Sequence, residues 1–365
     1  MAESLVVSFD LLLQDFRLAP EFSLGPELGV LFGPSGSGKT LTLKTLAGLI
    51  RPDRGSIRLN GQNLYDSKRR IVLPPQARRI GYVPQHFALF PHRSLAENVG
   101  YGLHDVSASE RRRQVAGLLG LMKLADLADR RPAELSSGQQ QRAALARALA
   151  RRPNLLLMDE PFAAVEEDLR AHLRAELVRV QHEFGIPVLL VTHSLSEAYS
   201  LAERLVVLRR GVVMQQGNRD EVYRRPQSPE VARLMGMNNI LTAEITGQAD
   251  GQLNVGWNGV RLVVSQDGGP AGRARAGGSV LLGVRPEEIE FAGPGHPPGA
   301  PNRLTGLIAR DIQFGPDHLL EVQVDGGHLE VRVTHPFFVS WGLAVGQARE
   351  LVLDPARFHL FPNLD

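Results

Sequence analysis

The run Gly33-Pro34-Ser35-Gly36-Ser37-Gly38-Lys39-Thr40 has the G-x-x-x-x-G-K-[ST] spacing of a loop that cradles phosphates. Residues without a Cβ let backbone N–H groups close around a triphosphate. Lys39 then reaches the β- and γ-phosphates, and Thr40 offers its hydroxyl to Mg²⁺. A second candidate is Asp159-Glu160, after the apolar run Leu155–Met158. Asp159 at the end of a buried strand is placed to hold magnesium through water, and Glu160 to orient or deprotonate an attacking water. Two acidic residues closing a strand have no such meaning alone; the phosphate loop supplies it. Ser136, with Gln139 three residues on, has capping-box spacing, and the helix it opens would be a second anion site. One nucleotide cannot easily use both sites within one subunit.

The elements needed to hold these residues are also visible. Leu28–Phe32 suits a buried strand before the phosphate loop, and Leu41–Gly48 a helix after it, so the phosphates would meet a helix N-terminus. Val6–Phe9 and Glu21–Leu24 read as strands upstream. Leu155–Met158 and Val188–Val191 are apolar throughout, as strands of a mostly parallel sheet buried on both faces should be. Helices are expected over Ser109–Leu121, Ser137–Ala150 and Asp168–Phe184. The expectation is an α/β ATP-binding domain over residues 1–235.

Beyond Arg225-Pro226 the texture changes. Leu320–Val324 and Leu329–Val333 alternate with period two around Asp325-Gly326-Gly327, which is hairpin chemistry. Asn239–Ile245 resembles Asn302–Ile308, and Val284–Ile289 resembles Leu353–Phe358. The proline- and glycine-rich stretch Gly293–Pro301 separates the copies. An all-β domain over 239–365 is expected, made of two small barrel-like units of the oligonucleotide/oligosaccharide-binding type at about 239–291 and 302–361.

Composition narrows the classes. Of 365 residues 43% are apolar and 22% charged, an ordinary globular balance with room for two domains. A formal charge of +2 does not suit a nucleic-acid binder, and Lys68–Arg70 and Arg111–Arg113 read as solvated faces. With no cysteine, disulfides and thiolate chemistry are excluded. No stretch approaches the length of a membrane span, and the N-terminus has no secretory pattern.

Leu135-Ser136-Ser137-Gly138-Gln139, followed by Gln140–Leu149, resembles the signature of the ABC ATPases, LSGGQ then QR-x-A-x-A-R-A-L. In that light Gln85, within Gly81–His92, is similar to the Q-loop glutamine, whose amide touches Mg²⁺ and the attacking water. Alone it would read as a turn residue. His193, in Val191–Ser194, is similar to the H-loop histidine that contacts the γ-phosphate; alone it would read as structural. The resemblance implies ATP with Mg²⁺, and a second copy of the chain in a head-to-tail dimer where Ser136, Ser137, Gly138 and Gln139 of one copy close on the other's nucleotide. Adenine stacking is expected of an aromatic residue, with Phe9 and Phe16 as candidates.

The tail, with Gly283–Ile289, resembles the TOBE/Mop-like domain of maltose, sulfate, molybdate and iron import ATPases. This implies transmembrane permease subunits, a solute-binding protein acting indirectly, and a peripheral place on the cytoplasmic side of the inner membrane. Leu73–Val83 and Leu89–His92 look most like molybdate- and sulfate-type subunits, with iron, polyamine or sugar uptake as alternatives. A different reading makes the tail an oxyanion-sensing regulatory module. ABC ATPases outside transport would carry a second cassette or a long coiled coil, and neither is present. Two positions depart from the family pattern. Ser137 replaces a glycine, and Ala163-Ala164-Val165-Glu166 replaces the S-A-L-D of the D-loop, so Glu166 keeps the charge on a longer side chain.

Overall fold

A computed structural model describes residues 4–163, 165, 167–265, 277–297 and 299–361. Contacts divide the chain into Met1–Val222 and Tyr223–Asp365, which puts helix Pro229–Leu234 in the second unit.

The first unit is built on two sheets. The central one runs in the order Val212–Asn218, Arg204–Arg209, Leu28–Phe32, Val188–Thr192, Leu155–Asp159, Ile80–Val83. Its last five strands are mutually parallel, and Val212–Asn218 closes the edge antiparallel. Leu28–Phe32, Leu155–Asp159 and Val188–Thr192 are buried at every position, which explains their unbroken apolar runs. The second sheet is antiparallel and centres on Leu5–Leu13 paired with Arg54–Leu59. Its alternate residues Leu5, Val7, Phe9 and Leu11 pack onto Leu31, Leu157 and Val191 of the central sheet, forming one core. Helices Lys39–Leu46, Ala108–Leu121, Ser137–Leu149 and Glu167–Phe184 fall where the sequence pattern puts them, within one or two residues. No helix among the described residues is long and apolar enough to cross a membrane.

The second unit is all-β apart from short helices, with two five-stranded sheets of matching order. One runs Val260–Ser265, Gln252–Trp257, Asn239–Ala249, Ser279–Val284, His359–Leu360; the other runs Gly327–Thr334, Asp317–Val324, Arg303–Phe314, Ala348–Leu353, Ile289–Phe291. The two copies expected from sequence are therefore not self-contained. Ile289–Phe291 pairs with Ala348–Leu353, while His359–Leu360 pairs with Ser279–Val284. Each crossing follows a 3₁₀ turn opened by proline, Pro286–Glu288 and Pro355–Arg357. Proline at that position removes a ladder donor and turns the chain out of the first sheet.

Two buried asparagines repeat this relation. Asn239 Oδ1 accepts from Glu330 N at 2.7 Å and its Nδ2 donates to Glu330 O at 2.9 Å. Asn302 Oδ1 accepts from Val263 N at 2.6 Å, and its Nδ2 donates to Val263 O at 2.7 Å and Leu353 O at 3.0 Å. Each amide thus mimics a strand against the other half of the unit. Asn302→Ala would remove the partner of one buried and two part-buried backbone groups, and we expect a loss of about 2–4 kcal/mol. Thermal or urea unfolding of the full chain, followed in the tail's transition, measures it; an unchanged midpoint would contradict this role.

Candidate functional site

Four neighbouring strands of the parallel sheet deliver the chemistry to one edge. Leu28–Phe32 runs into the phosphate loop, Val188–Thr192 into His193, Leu155–Asp159 into Glu160, and Ile80–Val83 into Gln85. The parallel register sets Thr192 beside Phe32 and Val191 beside Asp159. Ligands of open α/β sheets bind at such carboxyl ends.

The phosphate loop depends on two glycines for different reasons. A Cβ on Gly33 would stand 2.0 Å from the Leu208 carbonyl oxygen, so nothing larger fits. Gly38 has φ +103° at the start of helix Lys39–Leu46, and a Cβ there would meet Leu18 Cδ1 at 2.7 Å. Lys39 folds back across the loop, donating to Gly33 O at 2.8 Å and Pro34 O at 2.9 Å. Burial holds its ammonium below the ordinary lysine range, opposed by the carboxylates of Glu160 and Asp159. The Ser37 hydroxyl is buried with no hydrogen-bond partner among the described residues.

Thr40 Oγ1 donates to Asp159 Oδ1 at 3.0 Å, and Tyr82 OH lies 3.5 Å from Asp159 Oδ2. Burial raises the Asp159 carboxyl, with the Thr40 hydrogen bond pulling the other way. Thr40 and Asp159 are hard oxygen donors converging beside the loop. That suits Mg²⁺, which takes few protein ligands and fills the rest with water and phosphate oxygens. Glu160 adopts φ 45°, an uncommon conformation for a side-chain-bearing residue. Its Oε1 lies 2.9 Å from His193 Nδ1, so the two residues assigned to hydrolysis touch.

Ser136 and Gln139 form the expected capping box: Gln139 N donates to Ser136 Oγ at 3.3 Å and Ser136 N donates to Gln139 Oε1 at 2.8 Å. Ser137 is the first helical residue and half-buried, and Gly138 is buried. Gln85 is exposed and makes no hydrogen bond among the described residues. Glu166 lies outside the described residues. Phe9 is only 4% exposed within the core and cannot stack on a base. Phe16 is half-buried with its ring against Gly38, at the loop itself.

Arg147, within the run Gln140–Leu149, carries no role in the sequence pattern. Its guanidinium donates to Phe87 O at 2.7 Å and Ala88 O at 2.6 Å, two residues in left-handed backbone just after Gln85. It also lies 5.5 Å from the Phe90 ring. The helix opened by Ser136–Gln139 thereby grips the segment after Gln85. An arginine set within a run of alanines and leucines was the available signal.

A phosphate loop, an acidic pair at a strand end and a histidine on the same edge define a P-loop nucleoside triphosphatase. The family model described as ABC transporter matches residues 22–163, and the TOBE domain model matches residues 282–361. The chain is 44% identical over 229 residues to a molybdate/tungstate import ATP-binding protein of Archaeoglobus fulgidus, covering 63% of this chain and 92% of that one. It is 35% identical over 336 residues to the protein of that name in Pyrococcus horikoshii, covering 91% and 92%. An Fe(3+) ions import ATP-binding protein of Pseudomonas fluorescens is 41% identical over 288 residues, with 78% and 77% covered. Among solved structures, the ATP-binding cassette MJ0796, a post-hydrolysis dimer bound to ADP and Pi, aligns with TM-score 0.50 at 29% identity, over 60% of this chain and 98% of that one. The chain belongs to the ABC transporter family, as an ATP-hydrolysing subunit of the importer type with a C-terminal TOBE domain.

Proposed function

We propose that two copies of the chain bind ATP with Mg²⁺ and close head to tail, and that this closure energises uptake of an oxyanion through partner permease subunits. The observation that carries the reading is the division of the chemistry. Lys39, Thr40, Asp159, Glu160 and His193 gather on one sheet edge, while Ser136–Gln139 forms a separate capped helix start with its own local hydrogen bonds. The dimeric state of the solved relative fits a site completed across two copies.

Lys39, Thr40 and the loop amides would hold the triphosphate, and Thr40 with Asp159 would hold Mg²⁺, which offsets phosphate charge. Glu160 takes a proton from the attacking water, and His193, at 2.9 Å, fixes that carboxylate's orientation. Phe16 is the better placed of the two aromatic candidates to stack on adenine. The chain would sit on the cytoplasmic side of the membrane beside its permease. A groove of about 540 Å³ lined by Arg93, Tyr101, His104, Arg111, Val115 and Leu119 is where a permease helix would lie. Phe90 links that groove to Arg147, being 4.4 Å from the Tyr101 ring.

The names carried by the archaeal relatives favour molybdate or tungstate as cargo, and the notable identity to an iron import subunit supports iron as the second reading. Uptake of molybdate, tungstate, sulfate, ferric iron and spermidine, measured in cells lacking the gene and in cells given back the wild type or Lys39→Ala, tests both. Loss of oxyanion uptake restored only by the wild type is the expected result. Loss of iron or spermidine uptake alone would overturn the oxyanion assignment.

A further inference from the structure

Neither neighbour of His193 stands by itself. Thr192 Oγ1 donates to Glu197 Oε2 at 2.6 Å and accepts from Ser194 N at 3.0 Å. Ser194 Oγ accepts from Glu197 N at 3.3 Å and caps helix Leu195–Leu201. Glu197 is 6% exposed, and its Oε1 accepts from Arg174 Nη2 at 3.4 Å, a residue of helix Glu167–Phe184. The same guanidinium lies 5.9 Å from the ring centroid of Phe162, which follows Glu160-Pro161. One ion pair therefore bears on both sides of the Glu160–His193 contact: on the backbone flanking His193, and on the aromatic anchor of the segment that carries Glu160.

A helix cap does not require this arrangement, because the Ser194 hydroxyl already satisfies the Glu197 N–H. A carboxylate buried to this degree is costly unless paired and hydrogen-bonded, and here both oxygens have partners. What the pairing does achieve is a fixed path from Arg174 through Glu197 and Thr192 to the Ser194 N–H, so that both residues flanking His193 are held. Such a path matters to a reacting contact, since a misplacement of about 1 Å at a reacting group costs on the order of 100-fold.

We propose that Arg174 and Glu197, acting through Thr192 and Phe162, are positioning residues for ATP hydrolysis that set the Glu160–His193 contact. The inference rests on the assignment of Glu160 and His193 to hydrolysis. Nucleotide binding does not pass through this network, because Lys39 and Thr40 stand on a different strand–helix junction.

The test uses the full chain with ATP and Mg²⁺, measuring kcat, KM, the affinity for a fluorescent ATP analogue and the thermal midpoint. Glu197→Ala is expected to lower kcat about 10- to 100-fold with KM and analogue affinity within twofold of wild type. Glu197→Gln retains an acceptor for Thr192 and is expected to recover most of the loss. Thr192→Val is close to isosteric and leaves the Arg174–Glu197 pair intact. It removes one partner each from Glu197 and Ser194, so the thermal midpoint is expected to fall somewhat while kcat drops with KM and analogue affinity unchanged. It serves even where Glu197→Ala fails to fold. Wild-type kcat in Thr192→Val would overturn the proposal. So would losses of kcat, affinity and thermal midpoint that move together with no recovery in Glu197→Gln. Glu160→Gln and His193→Ala are run alongside. If they turn over normally, the assignment of the site itself falls; if they stall while the Thr192 and Glu197 variants do not, the positioning network alone falls.

Discussion

Glu160→Gln is expected to bind ATP as the wild type does and to hydrolyse it about 10²–10⁴ times more slowly, the usual cost of losing a positioned general base. The substitution preserves shape. The amide can still hydrogen-bond His193 Nδ1, 2.9 Å away, with donor and acceptor roles set by the imidazole tautomer. The unusual φ of 45° at this position is unaffected, because glutamine and glutamate share the same backbone preferences there. What disappears is the capacity to take a proton. Lys39, Thr40 and Asp159 remain, so the nucleotide should stay bound and the closed dimer should accumulate. Steady-state phosphate release and light scattering with and without ATP measure the two halves of this expectation. Wild-type turnover would remove Glu160 from the catalytic role.

Lys39→Ala should fail earlier in the cycle. The ammonium is the cation of the phosphate loop, and a charge-assisted hydrogen bond is worth about 1.5–3 kcal/mol, or roughly 10- to 150-fold in affinity. The fold should tolerate the change, since the lysine gives up a partly desolvated charge together with its bonds to Gly33 O and Pro34 O. Affinity for the fluorescent analogue is the decisive measurement. If Lys39→Ala bound nucleotide normally and lost only turnover, the two variants would be indistinguishable, and binding would not be separable from chemistry in this site.

The parts legible in the sequence share a physical cause. Leu155–Asp159 and Val188–Thr192 are buried on both faces, so their apolar runs admit few other readings, and the residues that follow them could be placed at one end of the sheet. The capping box of Ser136 and Gln139 is a local pattern and was readable for that reason. Long-range partnerships were not. Phe9 looked as available as Phe16 because a strand's alternation does not say which face meets another sheet, and Phe9 faces the core. Arg147 and Glu197 act through partners dozens of positions away or on another element, which no spacing rule reports. In the tail both halves carry the same pattern, so nothing in it distinguishes a strand that stays from one that crosses.

That crossing has a consequence for how the tail is made and how it comes apart. Leu282 pairs with Leu360, and Phe291 pairs with Leu351, so neither sheet can be completed from its own half. The Gly293–Pro301 stretch looks like a hinge between modules, yet a cut there would release two fragments that remain clasped. Assembly must be correspondingly late. The edge at Ser279–Val284 stays open until residues near 360 have left the ribosome, and closing so long a loop slows folding more than it weakens the finished structure. The tail is a woven buckle, fastened by the last stretch of chain to arrive.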